Sequence, residues 1–270
     1  MDITTRLRDP RYFQVAVLTS LLAFGITVLD FGIRWQNAVV IMATAQAVQC
    51  LGTRLAGLPR FDPLSALITS LSLTMLLRTE FIALAVAAAV IAISSKFLVR
   101  VHGKHVFNPA NVALVSLMLL SDNAWVSSGQ WGSATISALA LTCLGFLVLT
   151  RAKRAETTIA FLLFYGALLF GRALWLGDPL TIPVHQVQNG ALLIFAFFMI
   201  SDPKTTPDAA IGRMLYAALV AIAAFVIQYV YYVPSGPILA LVFTAPLVPV
   251  IDGVLKGLHY QWHQPEGVSR

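Results

Sequence analysis

Apolar stretches long enough to cross a bilayer recur along this chain with little between them, and no other feature limits the fold as much. Residues 81–99, FIALAVAAAVIAISSKFLV, carry one charged side chain, and residues 211–230, IGRMLYAALVAIAAFVIQYV, carry one more. A helix that crosses about 30 Å of hydrocarbon needs roughly 20 such residues. On that measure about ten segments stand out, near 13–30, 36–52, 64–78, 81–99, 108–121, 133–150, 157–174, 188–201, 211–230 and 236–256. Composition agrees. Of the 270 residues 58% are hydrophobic and 11% charged, where a soluble domain carries about 25% charged residues. The sequence predicts an all-α, polytopic membrane protein. The N-terminal MDITTRLRDPRYFQ is charged and offers no small-residue cleavage site, so no cleavable signal peptide is expected.

The net charge of +6 points to membrane orientation rather than to nucleic acid. With both termini in the cytoplasm, all of the 18 Lys and Arg residues except Arg34, Arg78 and Arg172 fall in or beside inside loops. That is the positive-inside asymmetry, and a miscount of one segment would scramble it. Cys50 and Cys143 are solitary and far apart, which signals neither a zinc site nor a cysteine-ligated cluster within the chain. His102 and His105 in HGKH have metal-ligand spacing but no evident third ligand, so an interfacial basic loop is the better reading. Asp252, near the end of the last segment, is expected to pair with an Arg.

Five segments in each half, residues 1–130 and 131–270, would give two repeats of opposite orientation. Such inverted repeats place their site near the membrane midplane, marked by short or interrupted helices at matching positions. The third segment of each half is short and follows a polar entry, RFDPLSAL and QVQNGALL. The fifth segments also begin alike, with VFNPANVALV and YVPSGPILALV. Ser65, Thr69, Ser70, Ser72 and Thr74 stud the third segment, either as packing bonds between helices or as the face that lines a ligand.

FDPLS and FNPAN share one logic. Asp62 and Asn108 are favourable N-caps, and Pro63 and Pro109 suit the first helical position. These are helix starts; the amides they expose also suit an anion or a carbonyl-rich ring. SDPKTTPD (201–208) sets Asp202, Lys204, Thr205 and Thr206 between two prolines where an apolar run stops. Local physics leaves it open between a turn and a site.

FNPANVALVSLML, NGALLIFAFFMISDPKTTP, Arg213 and PLVPVIDG, in that order, resemble the NqrB/RnfD family. Its members are membrane subunits of the sodium-pumping NADH:quinone reductase and of the Rnf ferredoxin-linked electron-transport complex. The similarity runs from about Asp62 to Gly253. It implies ten helices in two inverted five-helix repeats, related to the urea- and ammonium-channel architecture. It also implies a bound flavin, redox partner subunits, a location in the inner (plasma) membrane, and electron transfer coupled to ion transport. The family attaches FMN to a threonine in a motif close to S-G-A-T-x-A-T. Here SDNAWVSSGQWGSATISA echoes it only at Ser133, Ala134 and Thr135, so non-covalent riboflavin or FMN is expected before covalent FMN at Thr135. Ser65, Thr69, Asn108, Asn189, Asp202, Lys204 and Thr205 are the candidate contacts, Asn189 standing where the family usually has Ser. The chain would be at most a non-catalytic subunit of an oxidoreductase. A stand-alone transporter or channel for a flavin, a cation or a neutral solute, and an accessory role in a biosynthetic pathway, are the alternative readings.

Overall fold

The computed structural model describes residues 9–30, 32–127, 144 and 155–260. The expected segment at 133–150, Thr135 and Cys143 therefore lie outside the described residues, apart from Leu144. Helices dominate: α1 (Pro10–Thr27), α2 (Trp35–Leu55), α3 (Pro63–Leu76), α4 (Ile82–Leu98), α5 (Pro109–Leu120), α6 (Ala155–Leu176), α7 (Thr181–Val187), α8 (Gly190–Ile194, continued as a π-helix over Phe195–Met199), α9 (Ala210–Tyr229), α10 (Gly236–Thr244) and α11 (Leu247–Val254). The α2, α6 and α9 helices are long and apolar enough to cross a bilayer. Two bent pairs, α7 with α8 and its π-turn (47°) and α10 with α11 (54°), have the make-up of broken spans or re-entrant loops. Trp175, Leu163, Ile211 and Val250 project outward from these elements, as lipid-facing side chains do. This is an α-helical membrane protein.

Local chemistry sets where the helices start. The Asp9 carboxylate accepts the Arg11 amide at 3.0 Å, and Pro10 opens α1. Asp62 accepts the Ser65 amide at 3.3 Å, Asn108 accepts the Asn111 amide at 3.1 Å, and Asn189 accepts the amides of Ala191 and Leu192. The predicted caps thus occupy cap positions, with a proline following Asp62 and Asn108.

The ends of α3 and α5 depart from the all-helical expectation. After α3 the chain runs extended as β1 (Leu77–Thr79), which pairs antiparallel with β4 (Ala124–Val126) beyond α5, Arg78 opposite Trp125. Each strand supplies hydrogen bonds that lipid cannot. Arg78 folds back, and its Nη1 donates to the carbonyls of Thr74, Met75 and Leu77 at the end of α3. A second small hairpin, β2 (Arg100–Val101) with β3 (Lys104–His105), links α4 to α5.

Small side chains let the helices approach one another. Ala85, Ala88, Ala89 and Ala92 line the buried face of α4, and Ala217, Ala221 and Ala224 that of α9. The α4 helix packs on α2 and α5, α9 packs on α6 and α10, and α5 meets α10. At the α9–α10 contact a Cβ on Gly236 would lie 2.6 Å from the Ala224 carbonyl oxygen, so only glycine fits there. Asn111 on α5 donates to the Ile238 carbonyl of α10 at 3.0 Å. The π-turn of α8 is fully buried; Thr158 and Ser201 donate to its Ala196 and Phe197 carbonyls, satisfying groups that the wider turn leaves exposed.

Candidate functional site: a polar cavity where two helices begin and one ends

The N-terminal ends of α3 and α5 meet the C-terminal end of the π-turn around a cavity of about 290 Å3. Ser65, Thr69 and Ser72 line it from α3, Asn108 from the start of α5, Lys96 from α4 and Arg11 from α1. Phe197, Phe198, Ser201, Asp202 and Lys204 close the opposite wall. Ser65, Thr69, Asn108, Asp202 and Lys204, singled out in the sequence, are thus brought together. Thr205 stands behind them, its hydroxyl donating to the Asp202 carbonyl at 3.3 Å. Asn189 is elsewhere. It lies at the other end of α8, beside a separate cavity of about 100 Å3 lined also by Tyr165, Gln186 and Gln228.

The 201–208 stretch is a tightly wound turn built on Asp202. The Asp202 carbonyl accepts the amides of Thr205 and Thr206 and both their hydroxyls. Its carboxyl accepts the Lys204 amide at 3.0 Å and the Asn108 side-chain amide at 3.4 Å. Burial pushes the Asp202 carboxyl above the usual carboxylate range, against the pull of the Lys204 amide bond and of the Lys96 and Lys204 charges. Burial likewise lowers Lys204, whose Nζ donates to the Tyr260 carbonyl at 3.1 Å. The turn is pinned at its far end as well. Lys104 Nζ bridges the carboxylates of Asp208 (3.0 Å) and Asp252 (2.8 Å), and Arg213 spans from the Asp208 carbonyl (2.6 Å) to Glu156 on α6. Asp252 therefore pairs with Lys104 rather than with an Arg, because the β2–β3 hairpin lays the lysine over the end of α11.

Several lining residues were not singled out in the sequence. Lys96 counts there as a loop cation, yet it is a buried residue of the last turn of α4 that donates to the Ser65 hydroxyl and carbonyl, both at 3.0 Å. Its signal was its place within an apolar segment. Arg11 joins Asp9 and Asp62 at 2.7 Å each, tying α1 to the start of α3. His105 lies between this cavity and a smaller one beside Lys104; no cluster of His, Cys, Asp and Glu able to hold a metal occurs among the described residues.

His105 yields a pH prediction. Burial, and then the charges of Arg100, Lys96 and Lys204, push its imidazole down to about 3, against about 6.5 in an unfolded chain. Because the folded value lies below the unfolded one, protons favour the unfolded chain. The contribution of His105 to stability is whole above about pH 6.5 and drains as the pH falls toward 3, by at most about 1.4 kcal/mol per unit. Thermal unfolding in detergent between pH 7 and 4 should show a steeper acid loss for the natural protein than for His105→Gln; equal slopes would refute this.

Helices interrupted around a polar cavity, beneath many outward-facing apolar side chains, define a helical membrane protein with an internal polar cavity. A family model described as "NQR2, RnfD, RnfE family" matches residues 122–261, about half of the chain, and the protein belongs to that family. The match contains SDPKTTPD and PLVPVIDG, whereas FNPAN lies before it. A subunit of the ion-translocating oxidoreductase complex of Haemophilus influenzae is 27% identical over 139 residues, covering 52% of this chain and 38% of that protein. The equivalently named proteins of Erwinia tasmaniensis and Salmonella paratyphi B are each 32% identical, over 110 and 109 residues, covering 40% of this chain and 30% of their own length. The chain thus aligns with well under half the length of these relatives.

Proposed function

We propose that the chain is the membrane electron-carrying subunit of an Rnf- or Nqr-like ion-translocating oxidoreductase, holding a flavin non-covalently in the cavity between α3, α5 and the 201–208 turn. The observation that carries this reading is the cavity itself. The turn found within the family match forms one wall of a chamber whose other walls are two capped helix starts. Its volume of about 290 Å3 lies just below the range usual for small-molecule sites, about 300–1,000 Å3. Its lining suits a flat ring with polar edges: Phe197 and Phe198 offer apolar surface, Lys96 and Asn108 offer donors, and Asp202 offers an acceptor. A bound isoalloxazine would supply the electron chemistry, and these residues would orient it and set the polarity around it.

The reading extends to ten helices in two inverted five-helix repeats, residues 1–130 and 131–270, in the inner membrane with both termini cytoplasmic. Paired contacts support it. The α2–α4 contact has its counterpart in α6–α9, α4–α5 has one in α9–α10, and α5–α10 would lie on the symmetry axis. Interrupted helices fall at the matching third and fifth places. Redox partner subunits on the two faces would deliver and remove electrons. Between the two cavities lies the π-turn, where Phe161 meets Phe195 edge-on at 5.1 Å and stacks on Tyr165 at 5.4 Å. Packed aromatic side chains obstruct a solute more than an electron, so this arrangement favours electron transfer over the transporter reading.

The natural protein, purified in mild detergent, should show the visible absorbance of oxidised flavin at close to one per chain. Denaturation should release that flavin, and Thr135→Ala should leave the amount unchanged. A colourless protein that takes up neither riboflavin nor FMN would sink the proposal.

A further inference from the structure

Among the described residues, no carboxylate lies within ion-pair distance of the Lys96 ammonium. Lys96 is 5% exposed, and among the described residues its Nζ meets only the Ser65 hydroxyl and carbonyl, two neutral oxygens. An ammonium has three donors, so one remains for whatever fills the cavity that Lys96 lines. A charged side chain buried at membrane depth is costly and normally pairs with another charge or serves a function. Of the other cations of this cavity, Arg11 pairs with Asp9 and Asp62, and Lys204, which is less deeply buried, meets the Tyr260 carbonyl. Lys96 bonds only to neutral partners, with the Asp202 and Asp62 carboxyls of the same cavity acting on its charge from farther off, and it is held firmly: two bonds to one serine of α3 fix the ammonium from an α4 backbone.

We propose that Lys96 selects the redox state of the ring held in the cavity, binding its reduced, anionic form more tightly than its oxidised, neutral form. This rests on the flavin reading above. Two electrons and one proton added to an isoalloxazine leave one negative charge, delocalised over its pyrimidine edge. That charge is attracted to a nearby ammonium in a poorly screened cavity, whereas the neutral oxidised ring gains only a hydrogen bond. Lys96 is thus a positioning residue that sets a potential, and no bond to it forms or breaks.

The test compares the natural protein with Lys96→Gln and Lys96→Arg in detergent. Each is titrated with riboflavin by fluorescence quenching, then reduced stepwise with dithionite beside a reference dye. Lys96→Gln should weaken the binding of reduced riboflavin more than that of oxidised riboflavin, lowering the reduced-over-oxidised preference about 10- to 100-fold. For a two-electron couple that is a fall of about 30 to 60 mV in midpoint potential. Lys96→Arg, which keeps the charge should the glutamine variant fail to fold, should stay within about 15 mV of the natural value; a fall as large as that expected of glutamine overturns the proposal. An unchanged potential in Lys96→Gln also overturns it while leaving flavin binding intact. A natural protein that binds no riboflavin overturns both.

Discussion

Lys104→Met should lower stability by about 3–5 kcal/mol, the usual cost of removing one partner from a buried ion pair, and should show as a large drop in the thermal midpoint in detergent. Lys104 is 7% exposed, and its ammonium bridges the carboxylates of Asp208 and Asp252. Without it, two negative charges face each other across a space that water reaches poorly. Asp252 also accepts the Asp208 amide at 2.7 Å, so the two acids cannot swing apart without breaking the turn. The double variant Lys104→Met with Asp252→Asn should recover more than half of the loss, since an amide can keep the bond to the Asp208 amide without the charge. If the single variant melts within about 1 kcal/mol of the natural protein, the level of an exposed pair, the bridge is not structural.

Arg213→Ala should lower stability by about 2–4 kcal/mol, from two buried carbonyls left without a donor at about 1–3 kcal/mol each, and should weaken riboflavin binding along with stability. The guanidinium donates to the carbonyls of Pro207 and Asp208 and to Glu156, joining α9, α6 and the end of the 201–208 turn. Alanine leaves buried carbonyls without donors and frees the turn that forms a cavity wall. Arg213→Lys should recover less than half, because an ammonium cannot reproduce the planar fork. Glu156→Gln should cost far less, about 1 kcal/mol, because the Glu156 side chain is 30% exposed and water can stand in for it. Equal losses for the Arg213 and Glu156 variants would mean that the ion pair, and not the hold on the turn, carries the stability. Lys104 and Arg213 both grip Asp208, so their effects should not add.

The helix starts were legible in the sequence because capping is local. Asp62-Pro63 and Asn108-Pro109 announce themselves within two residues, and the structure places both at helix N-termini. The bend between α10 and α11 had a signal too, in Pro246 within the segment 236–256, but an uninterrupted apolar run masked it. The β1–β4 pair had none. Leu77–Thr79 and Ala124–Val126 are three-residue runs, too short for any periodicity to separate strand from helix. The cavity was half legible: its hydroxyls and its turn stood out, whereas Lys96 and Lys104 looked like ordinary loop cations. Hydropathy weighs a lysine the same whether it faces water or closes on Ser65 or on two aspartates. Only the packing of α4 on α3 and of the hairpin on α11 distinguishes them. Asn189 shows the converse ambiguity: it caps α8 and lines a separate cavity, and a cap residue reads like a site residue wherever it stands.

The β1–β4 ribbon closes α4 and α5 into one loop of chain. Leu77–Thr79 is made well before its partner Ala124–Val126, so the ladder that ends α3 forms only once α5 and the strand beyond it exist. Closing so long a loop costs more chain entropy than closing a short hairpin, and the packing of α4 on α5 within the loop offsets that cost. The ends of α3 and α5 should therefore be gained and lost together.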